Sequence, residues 1–203
     1  MGRYTKEDMA RDIVNLLRGN FSDFLKNAAM EKILWAATER RDSDFEELEE
    51  VPSAKYSGCA YWSRLALLKA YNITSIEELT PNTRYKNNNG LCHEHVIPKS
   101  LMKKYFQDLA KDKELNDDEL RYKILNVLNL AVACVVINKE AGEKLNKELK
   151  DKMPKGKEDI TKRENTWARY ENFGDTIYKV KWTIVKSGRG HAFKFVEKIK
   201  FDI

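Results

Sequence analysis

The sequence predicts an α+β protein: a helical N-terminal region, a middle that reads strand, helical insert, strand, helix, and a C-terminal β-hairpin. Three observations carry this. Apolar residues recur at helical spacing near the start, with Met9, Ile13, Leu16 and Leu17 on one stripe. The run LAVACVVI at 130–137 is short, valine-rich and unbroken, as in a buried strand. From about residue 176 the chain alternates, with Tyr178, Val180, Trp182 and Ile184 on one side and Lys179, Lys181 and Thr183 on the other.

The elements follow in order. Thr5 stands where a helix N-cap belongs. A second helix is expected to bury Phe21, Leu25, Ala29 and Ile33, with Phe24 and Leu34 alongside. The acidic run DSDFEELEEVP (42–52) breaks the pattern and reads as an exposed linker. YSGCAYWSRLALLKAYN (56–72) reads as one helix with Tyr61, Leu65 and Leu68 on its apolar face, and Thr74 with Glu77 as a capping box before Pro81. NTRYKNNNG (82–90) is a polar loop. A strand follows at LCHEHVIP (91–98), then two helices, the first carrying Leu101, Tyr105, Phe106 and Leu109, the second capped by Asn116 with Glu119 and carrying Leu120, Ile124, Leu125 and Leu128. After the valine-rich strand, Ala141, Leu145 and Leu149 mark a last helix, closed by Pro154 and Gly156. KSGRG (186–190) is the turn of the hairpin.

At 203 residues the chain can bury a core, and it divides on this reading into a helical region (1–80), a central region (81–153) and a basic extension (154–203) within one compact domain. No apolar run reaches the length of a membrane span, and the first residues lack a signal-peptide core. The three cysteines, Cys59, Cys92 and Cys134, form no Cys-x2-Cys pair. These features point to a cytoplasmic protein with no membrane partner. The net charge of +5 is uneven: residues 1–91 hold 13 Lys/Arg against 14 Asp/Glu, and residues 92–203 hold 24 against 18. The basic part is the one expected to face a polyanion.

Two of the three histidines fall within LCHEHVIPKS (91–100), flanking a glutamate. Glu94 and His95 on the first strand, Asn129 before the second strand and Asn138 at the start of the last helix are the polar residues at the junctions. A carboxylate and an amide oxygen suit a hard divalent cation that keeps waters for itself. A neutral imidazole beside them can take a proton from water. On a regular strand His93 and His95 share a face that Glu94 does not, so a base and a ligand on adjacent residues require a local twist or the strand's end at this point.

EHVIP (94–98) and NLAVACVVIN (129–138) together resemble the HNH nucleases of the ββα-metal superfamily, whose signature runs Asp-His-Ile-Ile-Pro and then Asn-Leu-x2-Leu-Cys-x2-Cys-Asn. The resemblance covers roughly 91–150, with the two asparagines nine apart as in the pattern. It implies a ββα-metal core carrying a helical insert, with His95 as general base, Asn129 orienting it, and Glu94 and Asn138 holding Mg2+ or Mn2+. His93 has no fixed role in the pattern and is an alternative ligand. Glutamate replaces the usual aspartate, and Ile137 stands where the second cysteine falls, so no structural zinc is expected. The implied activity is endonucleolytic hydrolysis of DNA phosphodiester bonds, as in restriction-type or phage-defence enzymes, with double-stranded DNA as partner and a homodimer if the cut is palindromic. The rival readings are a nucleic-acid-binding protein that keeps the scaffold without cutting, and an RNA-cleaving toxin. Lys99, Lys139, Lys179, Lys181 and Arg189 are the candidate phosphate contacts, with Lys194, Lys198 and Lys200 on the returning strand.

Overall fold

A computed structural model describes residues 5–38, 56, 58–86, 89–130, 134–187 and 190–203. The fold is mixed α+β. In chain order the elements are α1 (Lys6–Arg18), α2 (Asp23–Thr38), β1 (Tyr61–Ser63), α3 (Arg64–Tyr71), β2 (Leu91–His95), α4 (Lys99–Lys111), α5 (Asp117–Leu130), β3 (Cys134–Asn138), α6 (Lys139–Glu148), β4 (Ile177–Ser187) and β5 (Gly190–Lys200). The acidic run 42–52 and Arg189 lie outside the described residues. The chain forms two compact units, each drawn from three separate stretches: a helical unit from 1–39, 95–132 and 149–171, and a sheet unit from 40–94, 133–148 and 172–203.

In the helical unit, α1 starts where Thr5 predicted. The Thr5 hydroxyl accepts from the Asp8 amide at 3.1 Å and the Asp8 carboxylate accepts from the Thr5 amide at 2.9 Å. The hydrogen bonds that the Thr5 amide and hydroxyl donate to it hold the Asp8 carboxyl below its ordinary range. Asn116 and Glu119 form the same reciprocal pair ahead of α5. The core comes from Met9, Ile13 and Val14 on α1, Met102 and Phe106 on α4, and Leu120, Ile124, Val127 and Leu128 on α5.

The expected face of α2 is corrected. The helix begins only at Asp23 and buries Met30, Leu34 and Ala37, leaving Phe24 84% exposed and Phe21 and Leu25 about half exposed. Apolar residues lie all round this helix, so spacing alone does not select the buried stripe. On α4 Phe106 is buried as expected, but its buried companion is Met102, while Leu101, Tyr105 and Leu109 are only partly buried.

The sheet unit holds five strands in the order β2-β3-β1-β4-β5, with β1 parallel to β3 and antiparallel to β4. The single helix expected over 56–72 is corrected to a three-residue strand followed by α3, because Ser63 caps the helix by accepting from the Ala66 amide at 3.2 Å. Three residues are too few to show the alternation that marks a strand. Trp62 is fully buried, and its indole and that of Trp182 both donate to the Cys59 carbonyl, at 2.9 and 2.8 Å. The capping box before Pro81 sits one residue later than expected, with Glu78 accepting from the Ser75 and Thr74 amides at 2.9 and 3.1 Å. The C-terminal hairpin forms as expected, with Val180, Trp182 and Phe195 buried against the core and a bulge between Lys181 and Trp182.

Candidate functional site

Of the expected residues, His93, Glu94 and His95 lie on β2 and Asn138 at the end of β3, ahead of α6. β2 neighbours β3, and the Lys139 amide donates to the Gly90 carbonyl at 2.8 Å, so the end of β3 lies beside the start of β2 as in an antiparallel pair. All five residues of β3 are buried, which suits its Cys-Val-Val-Ile stretch. Asn138 then opens α6: its side-chain oxygen accepts from the Ala141 amide at 3.2 Å, the hydrogen bond of an N-cap. Its side-chain nitrogen donates to Glu140 at 3.1 Å.

The helix runs back over β2 at very close range. A methyl group on Gly142 would sit 2.7 Å from the Cys92 sulfur, 3.4 Å from Ile137 and 3.7 Å from Glu94 Oε1. Cys92 and Glu94 therefore face α6, and the glycine is what lets the helix come down on them. One turn further along, Asn146 donates to Glu94 Oε1 at 2.7 Å. Asn138, Gly142 and Asn146 form one stripe at intervals of four. Asn138 and Asn146 stand about 12 Å apart along the helix axis. The amide that the structure brings to Glu94 is that of Asn146, while Asn138 occupies the capping position.

His93 points to the opposite face, as strand alternation requires. Its Nε2 is 3.2 Å from the Cys59 sulfur, and its ring meets Tyr56 edge-on with centroids 4.7 Å apart. Tyr56 in turn donates to the Leu91 carbonyl at 2.7 Å. Burial, with smaller contributions from Tyr56 and Cys59, pushes the neighbouring Tyr85 phenol up to about 12. His93 is thus tied into the core side of the sheet, away from Glu94.

β2 ends at His95. Its carbonyl accepts from Arg169, which is almost wholly buried and also donates to the Lys150 carbonyl, at 2.8 and 3.0 Å. The ring atom Nε2 of His95 is shut off from solvent. Near the imidazole, Lys99 and Glu31 form an ion pair at 2.8 Å. The Lys99 ammonium, chiefly through its hydrogen bond, and to a smaller degree His95, hold the Glu31 carboxyl below its ordinary value. Asn129 lies on the exposed side of α5 near its end, and no hydrogen bond joins it to His95 among the described residues.

Comparisons with family models, with curated proteins and with solved structures return no match. The residues themselves carry the reading.

Among the described residues no three His, Cys, Asp or Glu side chains converge on one point. The groups that do come together are one carboxylate, Glu94, and the amide of Asn146, whose nitrogen donates to it. A carboxylate is an oxygen donor of the kind a hard cation with retained waters takes. Of the candidate lysines, Lys99 is engaged with Glu31, and Lys139 stands 3.9 Å from Glu143 with both side chains well exposed. Lys179 and Lys181 are exposed on β4 and in no ion pair among the described residues. Sequence reasoning passed over Asn146 and Gly142. The spacing Asn138-x3-Gly142-x3-Asn146 was the available signal, and it is visible only once the helix is known to lie on β2.

Proposed function

We propose that the chain is a metal-dependent endonuclease of the HNH type, acting on DNA phosphodiester bonds. The observation that carries this is the pairing of two strands and a helix in which Glu94, on the penultimate residue of β2, lies under Gly142 beside Asn146, with His95 following it directly. Mg2+ or Mn2+ would be held by Glu94 together with an amide oxygen of the α6 stripe. The resemblance assigns that oxygen to Asn138; Asn146, whose side-chain nitrogen donates to Glu94, would have to turn its amide over to offer one. When bound, such an ion stabilises the charge that develops on the scissile phosphate and on the departing 3′ oxygen. His95 takes the proton of the attacking water. To do so it accepts through Nδ1, or its ring turns to free Nε2. Asn129 orients this imidazole in the reading by resemblance, which requires its side chain to swing from the exposed face of α5.

A second reading, a nucleic-acid-binding protein that does not cut, draws support from the closed Nε2 of His95. Incubating the protein with plasmid DNA and with structured RNA, in Mg2+, Mn2+ or EDTA, separates the readings. The proposal expects DNA cleavage that EDTA abolishes and that His95→Ala slows by about a hundredfold to ten-thousandfold. No cleavage of either nucleic acid with either metal leaves the binding protein. Cleavage of RNA alone assigns the toxin reading. Cleavage unchanged in His95→Ala removes that residue from the chemistry.

A further inference from the structure

The strand pairings fix which side chains share a face with Glu94. Tyr61 on β1 is paired with Lys179 on β4 and with Val135 on β3, and paired residues project to the same side of a sheet. Val135 and Ile137 share that side by alternation, and Ile137 and Cys92 are the residues that Gly142 approaches. Lys179 and Glu94 therefore lie on the same face of one sheet. The register carries this onward across the hairpin: Lys179 opposite Ile199, Lys181 opposite Glu197, and Thr183 opposite Lys194. α6 stands over the β2–β3 end of the face. Among the described residues of β4 and β5 this face is open to solvent, with Lys179, Lys181, Thr183 and Lys194 all exposed and Ile199 60% exposed.

We propose that this open face is a track for a nucleic-acid backbone that leads to Glu94. The inference rests on the nuclease reading above and adds to it where the substrate lies. Charge complementarity selects the occupant. Three lysines stand here against one acid, Glu197, and none of the three is in an ion pair among the described residues. Other lysines, such as Lys99, Lys104 and Lys111, are paired with carboxylates. Strands in a sheet are about 4.8 Å apart, so β4 and β5 lie about 14 and 19 Å across from β2. That distance spans about four to six nucleotides of a duplex strand. The lysines would therefore hold the backbone a few nucleotides away from the scissile bond, through phosphate contacts that position the substrate without reading its sequence. The aliphatic side chains between them can pack against sugars.

The test is binding of a fluorescein-labelled DNA duplex, by anisotropy in EDTA over a range of salt concentrations. It compares wild type, the variant Lys179→Gln/Lys181→Gln/Lys194→Gln, and the charge-matched control Lys104→Gln/Lys111→Gln/Lys123→Gln on α4 and α5. Sedimentation of each variant and a thermal melt accompany the titrations. The track predicts that the hairpin variant binds at least about tenfold more weakly at low salt and that its salt slope falls by about three, one per lost phosphate contact. The control keeps the wild-type slope. A hairpin variant that melts like wild type, binds DNA like wild type and is still cut-competent overturns the track while the nuclease reading stands. A wild-type chain that binds no DNA and cuts none removes both. If the hairpin substitutions instead dissociate a dimer and leave DNA binding intact, the face is an interface between copies and the track is wrong.

Discussion

At the scale of single residues, Asn138 and Asn146 do different work although they lie on one stripe. Asn138 accepts from the Ala141 amide and starts α6, and Asn146 donates to Glu94. Asn138→Ala is expected to cost about 1 kcal/mol of stability through the lost cap, measured by urea unfolding. Asn146→Ala should leave stability nearly unchanged and raise the Mn2+ concentration that half-activates cleavage by about tenfold to a hundredfold. The opposite allocation would assign the amide ligand to Asn138. Glu31 gives a pH prediction of definite sign. Lys99 depresses its carboxyl in the folded state below the ordinary 4.5, so its contribution is present at neutral pH and is lost as pH falls below that value. Half exposed, the pair contributes under about 1 kcal/mol. Glu31→Gln should be the less stable protein at neutral pH, and the difference should vanish in acid. A difference that grows in acid would show that the carboxyl is raised.

At the scale of elements, the descent of α6 onto β2 is what brings Asn146 to Glu94, and Gly142 permits the descent. Gly142→Ala places a methyl 2.7 Å from the Cys92 sulfur, closer than such contacts permit. It should cost about 1–3 kcal/mol as the helix shifts. Cys92→Ala removes the sulfur, and the double variant should recover at least about 0.5 kcal/mol of the loss in a double-mutant cycle. Additivity would mean that the helix does not rest on Cys92. The legibility of the elements follows from how locally each is encoded. The starts of α1 and α5 were readable because a cap and a carboxylate three residues later are a local signal. The hairpin was readable because its alternation runs over many residues with lysines on the outer side. β1 was not, since Tyr61–Ser63 has no room for a pattern and derives its place from neighbours far off in sequence. The buried face of α2 was misjudged because Phe21, Phe24 and Leu25 are apolar but left out of the core.

At the scale of the whole molecule, the sequence suggested three successive regions, while the chain folds into two units built from interleaved stretches. Composition drifts along a chain, but which stretches associate depends on long-range pairings such as β1 with β3 and β4. The strand, insert, strand and helix of the candidate site were legible from LCHEHVIP, the valine-rich run and the helical spacing after it. The neighbour of Glu94 was not legible, because a hydrogen bond across 52 residues depends on where α6 lands. The direct test of the central claim is calorimetric titration of Mn2+ into the wild-type protein and into Glu94→Gln, with folding checked by circular dichroism. The account predicts one binding event in the wild type, lost or weakened at least about tenfold in Glu94→Gln, together with loss of metal-dependent cleavage. Equal Mn2+ binding by the two proteins, or cleavage that persists in Glu94→Gln, would contradict it.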